Sequence, residues 1–205
     1  MYSKDFISII TQSNKFIDVC GELNKIKDNK LRGTYFEWFA KLVLQYDPRY
    51  SNFVKKCMLL EELPEKLRTH LEIPVNDIGI DLIIETHSNT YFAVQVKYRK
   101  NIDCVINWSV LSTFFGLTFG LTNKFEKGIF FTNTCDTTKY IKGKQNIINI
   151  LNHSLNDISN NTFTKIKIAL LKTTINDKQL YSPRDYQELI IANAIYYYTK
   201  NDKGR

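Results

Sequence analysis

The stretch Asp77-Ile-Gly-Ile-Asp81-Leu-Ile-Ile84, followed by Val94-Gln95-Val96-Lys97, decides how this chain reads. Ile80–Glu85 and Tyr91–Tyr98 are rich in β-branched and aromatic residues, the composition of strands. His87-Ser88-Asn89 between them supplies a turn. A hairpin centred on Ser88 pairs residues whose numbers sum to twice 88, so Asp81 falls opposite Gln95 and Gly79 opposite Lys97. Directly opposed residues bring their Cβ atoms to about 5 Å. Gln95 and Lys97 lie two apart and share one face of their strand, while Val94 and Val96 turn to the other, buried face. One carboxylate, one amide oxygen and one ammonium are thereby gathered on a single patch. Such a patch suits metal-assisted phosphodiester hydrolysis: Mg²⁺ takes hard oxygen ligands and keeps several waters, so one or two protein oxygens suffice. A neighbouring lysine can orient the attacking water or support developing charge. Gly79 would let a phosphate backbone approach closely.

A further carboxylate comes from the strongest helical pattern, Thr34–Tyr46, which Asp47-Pro48 ends. Phe36, Phe39, Ala40, Val43 and Leu44 recur at helical spacing, with Trp38 and Leu42 on the other side, so the helix is buried nearly all round. Glu37 lies at the edge of the stripe. It belongs either to the patch or to an i,i+4 pair with Lys41.

Around these residues the chain reads as alternating α and β. Two helical pieces lie within residues 3–30, and a lysine-rich turn runs from Lys25 to Lys30. A short strand or helix covers Phe53–Leu60, and a charged surface helix covers Glu61–Arg68. Asn107–Leu121 has helical spacing, and Lys127–Asn133 is an apolar run bounded by glycine and asparagine, the pattern of a buried strand. The pattern predicts a helix over 139–155 and a strand over Thr164–Thr173, where Ile166, Ile168 and Leu170 alternate with lysines. A linker over Asn176–Tyr181 and a helix over Pro183–Lys200 close the chain.

The chain has 205 residues, 43% hydrophobic and 24% charged, which fits one domain with an appendage and argues against wholesale disorder. No apolar run approaches the roughly 20 residues of a membrane span. The N-terminus lacks the pattern of a secretory signal, so a cytoplasmic or other intracellular, non-secreted protein is expected. Cys20, Cys57, Cys104 and Cys135 are scattered, form no metal-ligand spacing and read as reduced thiols. A net charge of +7 favours a polyanionic partner such as nucleic acid. Arg99 and Lys100 abut the patch and are expected to grip a phosphate backbone, as is Arg32. Lys139, Lys142 and Lys144 contact phosphates or form an ordinary solvated face. Phe114, Phe115, Phe119 and Tyr196–Tyr198 stack on bases or, more simply, pack in the interior.

In order along the chain, Arg32-Gly33 with Glu37, Asp81 ending Gly-Ile-Asp, Gln95-Val-Lys97 and Gly128-Ile-Phe-Phe-Thr132 resemble the PD-(D/E)XK, or restriction-endonuclease-like, nucleases. The resemblance is to the Mrr-like branch, in which glutamine often replaces the second acid to give QxK, and it covers Leu31 to Leu151. It implies an α/β fold with a restriction-endonuclease-like core, a mixed central sheet flanked by helices. It implies a DNA endonuclease in which Asp81 and Gln95 bind Mg²⁺ (or Mn²⁺), Lys97 assists the nucleophile, and Glu37 orients the metal or its water. Two departures stand out. Ile80 rather than proline precedes Asp81, and the neutral Gln95 oxygen implies weaker metal binding than a pair of acids. The DNA is a duplex, a flap or a branched junction, and a homodimer is compatible with the reading. A catalytically weak or inactive DNA-binding scaffold with the same fold is the alternative.

Tyr181-Ser-Pro-Arg-Asp-Tyr-Gln187 resembles the motif preceding the ATP-binding loop of superfamily 2 helicases, in which the glutamine contacts adenine. The resemblance implies a nuclease module of a larger helicase-nuclease. Gln187 would serve nucleotide binding only with a following helicase domain, and ATPase activity is not expected of residues 1–205 alone, which contain no phosphate-binding loop. The domain expectation is therefore an N-terminal helical extension (1–30), a nuclease-like domain (31–175), and a linker with the start of a helicase domain (176–205).

Overall fold

The computed structural model describes residues 2–74 and 79–177, with side chains described as far as 172. The Pro183–Lys200 helix, the Tyr181–Gln187 motif with Gln187, and Tyr196–Tyr198 lie outside the described residues. Two compact units divide the chain, Met1–Ile168 and Ala169–Arg205, and the whole sheet belongs to the first.

The chain opens with three helices, α1 (Lys4–Gln12), α2 (Phe16–Lys25) and α3 (Asn29–Tyr46). Helices as short as α1 and α2 are marginal alone and hold their shape by burying an apolar face. Phe6 and Ile10 of α1, and Phe16, Val19 and Leu23 of α2, are fully or almost fully buried. The Phe6 ring lies 5.3 Å from Trp38 and the Phe16 ring 5.7 Å from Phe39, both on α3. Helices α1 and α2 thus lie in the same compact unit as the sheet. Helix α3 starts earlier than the apolar stripe suggests, because the Asp28 carboxylate accepts the Lys30 and Leu31 N–H groups at its N-terminus. Asp47 ends it and caps α4 (Pro48–Ser51) by accepting the Arg49 N–H at 3.0 Å.

Next come β1 (Val54–Leu59), a 3₁₀ turn (Leu60–Glu62), α5 (Glu65–His70), β2 (Leu82–Thr86) and β3 (Tyr91–Lys97). After α6 (Trp108–Phe115) follow a π-turn (Gly116–Leu121), β4 (Lys127–Thr132), β5 (Ile147–Ile150), α7 (Asn152–Asn156) and α8 (Asn160–Asp177). The five strands lie in chain order in one mixed sheet, β1–β2–β3 antiparallel and β3–β4–β5 parallel. This is the expected α/β architecture. Met58, Ile83, Ala93 and Phe130 face α6 and pack with its Leu111 and Phe114. A Cβ on Gly128 would sit 3.2 Å from the rings of Phe114 and Phe119, so the missing side chain lets this layer close on the strand. The opposite face carries Phe131, whose ring is 5.4 Å from Phe36 of α3.

Three assignments from the sequence are corrected. Residues 139–155 hold the edge strand β5 and only a short α7, because Ile148 and Ile150 pair in parallel register with Ile129 and Phe131 of β4. Residues 164–173 belong to helix α8: Phe163 and Ile166 are buried at helical spacing, and Ile168, which strand alternation would bury, is 47% exposed. The expected linker from Asn176 also begins inside this helix, which runs to Asp177.

Truncating Phe36, buried between α2, α3 and the sheet, should cost about 3–5 kcal/mol in denaturant melts of Phe36→Ala. All four cysteines are free. Burial pushes the Cys57 thiol up to about 12, whereas Cys135 is exposed. A thiol reagent at mildly alkaline pH should modify Cys135 first and Cys57 only after unfolding, as mass spectrometry of the labelled peptides will show.

Candidate active site

The β2–β3 ladder pairs Glu85 with Tyr91, Ile84 with Phe92, Ile83 with Ala93 and Leu82 with Val94, each summing to twice 88 as the Ser88-centred hairpin requires. At its open end the pattern changes. The Asp81 N–H donates to the Val94 carbonyl at 2.9 Å, and the Asp81 carbonyl accepts the Leu60 N–H from the other neighbouring strand end at 3.0 Å. The Asp81 carboxylate then accepts the Val96 N–H through Oδ2 at 2.6 Å. Where a backbone carbonyl would continue the ladder, a side-chain carboxylate takes its place. Val96 is flanked by Gln95 and Lys97, so this bond holds Asp81 alongside both. The expectation of Asp81 directly across from Gln95 is thus refined to an anchor on the intervening peptide.

Gln95 is only 2% exposed and lies in register with Phe130 on the α6 side of the sheet. Gly79 has φ +94°, and a Cβ on it would stand 3.2 Å from Gln95 Nε2. The bare α-carbon that the sequence suggests for a phosphate backbone here accommodates the Gln95 amide. Gln95 Oε1 is buried and has no hydrogen-bond partner. Leaving such an acceptor unsatisfied costs about 1–3 kcal/mol, which marks it as an oxygen awaiting a partner. Among the described residues no three His, Cys, Asp or Glu side chains cluster as a metal site. A cation here would have to be held by a carboxylate and an amide oxygen, hard donors that fit Mg²⁺ rather than a thiolate-seeking metal.

Lys97 is half-buried and pairs in register with Thr132 of β4. It takes part in none of the ion pairs among the described residues. Glu37 is half-buried on α3, the helix that packs through Phe36 on the face opposite α6. Lys41, its alternative partner, carries its ion pair to Glu62 at 2.5 Å. The backbone of one hairpin brings Asp81, Gln95 and Lys97 together, whereas Glu37 comes from a separate layer.

The flanking cations divide. Arg32 is 8% exposed and donates to the Ile26 carbonyl at 2.8 Å and to Asn29 Oδ1, with its guanidinium 5.8 Å from the centre of the Tyr98 ring. It is corrected from a DNA contact to a structural tie, since its donors face inward. Arg99 is half-buried and Lys100 exposed, immediately beyond Lys97. Their segment is held by Asn133, unnoticed in the sequence: its Oδ1 accepts the Arg99 N–H at 2.7 Å and its Nδ2 donates to the Arg99 carbonyl at 2.6 Å. This fully buried amide adds a rung to the β3–β4 ladder past Lys97 and Thr132. Only its place at the end of an apolar strand could have hinted at the role.

Residues 45–188 match the model of a family described as restriction endonuclease. The chain belongs to this restriction endonuclease family. It is accordingly a nuclease domain of DNA-cleaving type. The matched span takes in Asp81, Gln95 and Lys97 and begins after Glu37. Among solved structures the fold is similar to part of an ATP-dependent Type ISP restriction-modification enzyme, LlaBIII, bound to DNA, with a TM-score of 0.50 and 20% identity. The alignment covers 90% of this chain and 11% of that one, so the chain spans a small part of that enzyme's length. No curated protein matches the sequence. Among the described residues no helix is long and apolar enough to cross a membrane.

Gly79→Ala should destabilise the restriction endonuclease domain by about 1–3 kcal/mol in urea melts, from backbone strain added to crowding of Gln95. Asn133→Ala should leave the fold intact but accelerate amide exchange at Arg99 and Lys100, read by hydrogen–deuterium exchange.

Proposed function

We propose that this nuclease domain is a Mg²⁺-dependent DNA endonuclease centred on Asp81, Gln95 and Lys97. The observation that carries the reading is the buried, unpartnered Gln95 Oε1 beside a carboxylate anchored on the next peptide. Asp81 and Gln95 would hold the ion, with Glu37 orienting it or its water. When bound, Mg²⁺ neutralises the phosphate and lowers the pKa of a coordinated water. Lys97 positions the attacking water and supports charge developing on the phosphate oxygens. Asp81, whose Oδ2 accepts the Val96 N–H, would contribute its carboxylate to the ion. Arg99 and Lys100 hold the DNA backbone beside the cleaved bond. Mn²⁺ should substitute, being tolerant of mixed oxygen donors.

The chain further reads as the nuclease module of a larger ATP-dependent enzyme, with a helicase-type motor following Gln187. Two features support this: the Tyr181–Gln187 motif, and the similarity to a small part of a Type ISP enzyme whose description names ATP dependence. Whether one copy or two act on the DNA is open to a sedimentation measurement in the same buffers.

Cleavage of plasmid, linear and branched DNA in Mg²⁺ and Mn²⁺ tests the site. Asp81→Ala and Lys97→Ala should each lower the cleavage rate by at least about a hundredfold while DNA binding persists. Undiminished cleavage in both would refute the assignment, and binding without cleavage in every metal would establish the scaffold reading. Gln95→Glu should move the Mg²⁺ concentration for half-maximal cleavage downward, because a charged ligand replaces a neutral one.

A further inference from the structure

Beyond the ends of β3 and β4 the two following loops run side by side. Ile106 and Thr137 form a parallel bridge, the Thr138 N–H donates to the Ile106 carbonyl at 2.8 Å, and the Cys135 N–H donates to the Ile102 carbonyl at 2.8 Å. Both loops leave the sheet at the strand ends where Lys97 pairs with Thr132. Just past the bridge each presents an aromatic ring. Trp108 is 43% exposed and Tyr140 is 59% exposed, and their rings meet edge-to-face at 6.0 Å.

These rings differ from stray surface aromatics in what lies behind them. Phe119 stacks on Phe115 at 6.0 Å and 17°, and Phe115 on Trp108 at 5.5 Å and 10°, so a run of near-parallel rings passes from the packed side of α6 to solvent and ends on Trp108. Phe115 is 9% exposed and belongs to the core that fixes the run. Of the base-stacking candidates Phe114, Phe115 and Phe119, the first two are buried and Phe119 is half-buried against the same core, and the most exposed end of the run is the tryptophan ahead of them. The surroundings are cationic. Lys139 Nζ stands 5.6 Å from the centre of the Tyr140 ring, Lys144 is exposed, and Lys142 is paired with Asp136. Flat π-faces beside lysines match the two halves of a nucleotide, base and phosphate.

We infer that Trp108 and Tyr140 form a stacking platform for an unpaired base of the DNA, with Lys139 and Lys144 holding the adjoining phosphates. The inference rests on the nuclease reading and deepens it: the substrate carries single-stranded or frayed nucleotides next to the cleaved bond, not an uninterrupted duplex.

The test uses the full chain in EDTA, so binding is read without cleavage. Trp108 is one of only two tryptophans, and the other, Trp38, packs against Tyr2, Phe6 and Tyr35. A single-stranded oligothymidylate should quench the indole emission and bind more tightly than a blunt duplex of equal length. Trp108→Ala and Tyr140→Ala should each weaken single-strand binding about tenfold or more, while duplex binding changes less than about twofold. Trp108→Phe, which keeps a ring on Phe115, should retain most of the affinity and guards against a folding defect in the alanine variant. Equal losses on both DNAs would reduce the patch to general electrostatics and overturn the inference. Emission that no oligonucleotide moves would also overturn it, and would point to a protein occupant. Loss of cleavage through Lys97→Ala bears only on the catalytic site, so the two readings fail separately.

Discussion

One hydrogen bond organises the candidate site, the Val96 N–H donated to the Asp81 carboxylate at 2.6 Å. A strand end normally leaves its next amide to water or to a neighbouring carbonyl. Here a side-chain carboxylate takes it, at the short distance of 2.6 Å. Its consequence is positional: the carboxylate is fixed on the peptide between Gln95 and Lys97. The Leu60 N–H on the Asp81 carbonyl ties the same residue to the segment following β1, so the point where the ladder opens is braced from both sides.

The layers around this point have separate duties. Helix α6 supplies the apolar floor beneath Gln95, and Gly79 leaves room for its amide, so an acceptor is buried at a place where burial alone would be unfavourable. Helix α3 covers the other face and, with α1 and α2 packed on it, gives the sheet its second wall. The parallel pairing of β3 with β4 carries geometry outward. It sets Thr132 beside Lys97, then Asn133 on the Arg99 backbone, then the Ile106–Thr137 bridge, and finally the exposed rings of Trp108 and Tyr140. A single register thus joins the proposed chemistry to the proposed substrate surface.

A neutral amide in place of a second carboxylate has a physical meaning. Two carboxylates a few ångströms apart repel and need a cation to coexist, whereas an acid and an amide can be held close in its absence. The proposed ion would be gripped more weakly than by two acids.

The hairpin was legible in the sequence because it is local: β-branched runs either side of a three-residue turn fix a register, and the observed pairs obey it from Glu85–Tyr91 to Leu82–Val94. The same locality made Gln95 and Lys97 neighbours on one face, and the helix ended by Asp47-Pro48 was readable from its spacing and its proline. Period alone misled over 164–173, where lysines at alternate positions fit a strand as well as a helix and only burial of Phe163 and Ile166 separates them. It misled again at β5, because an edge strand of a parallel sheet exists only through its partner β4. Arg32 shows the same limit, since its charge was visible but the inward carbonyl and amide that claim it were not. What the chain determined by itself was therefore the hairpin, its turn and the order of its chemical groups. The carboxylate on Val96, the buried amide oxygen, the Asn133 clamp and the surface rings were decided by tertiary structure, because each depends on segments brought together only when the sheet closes.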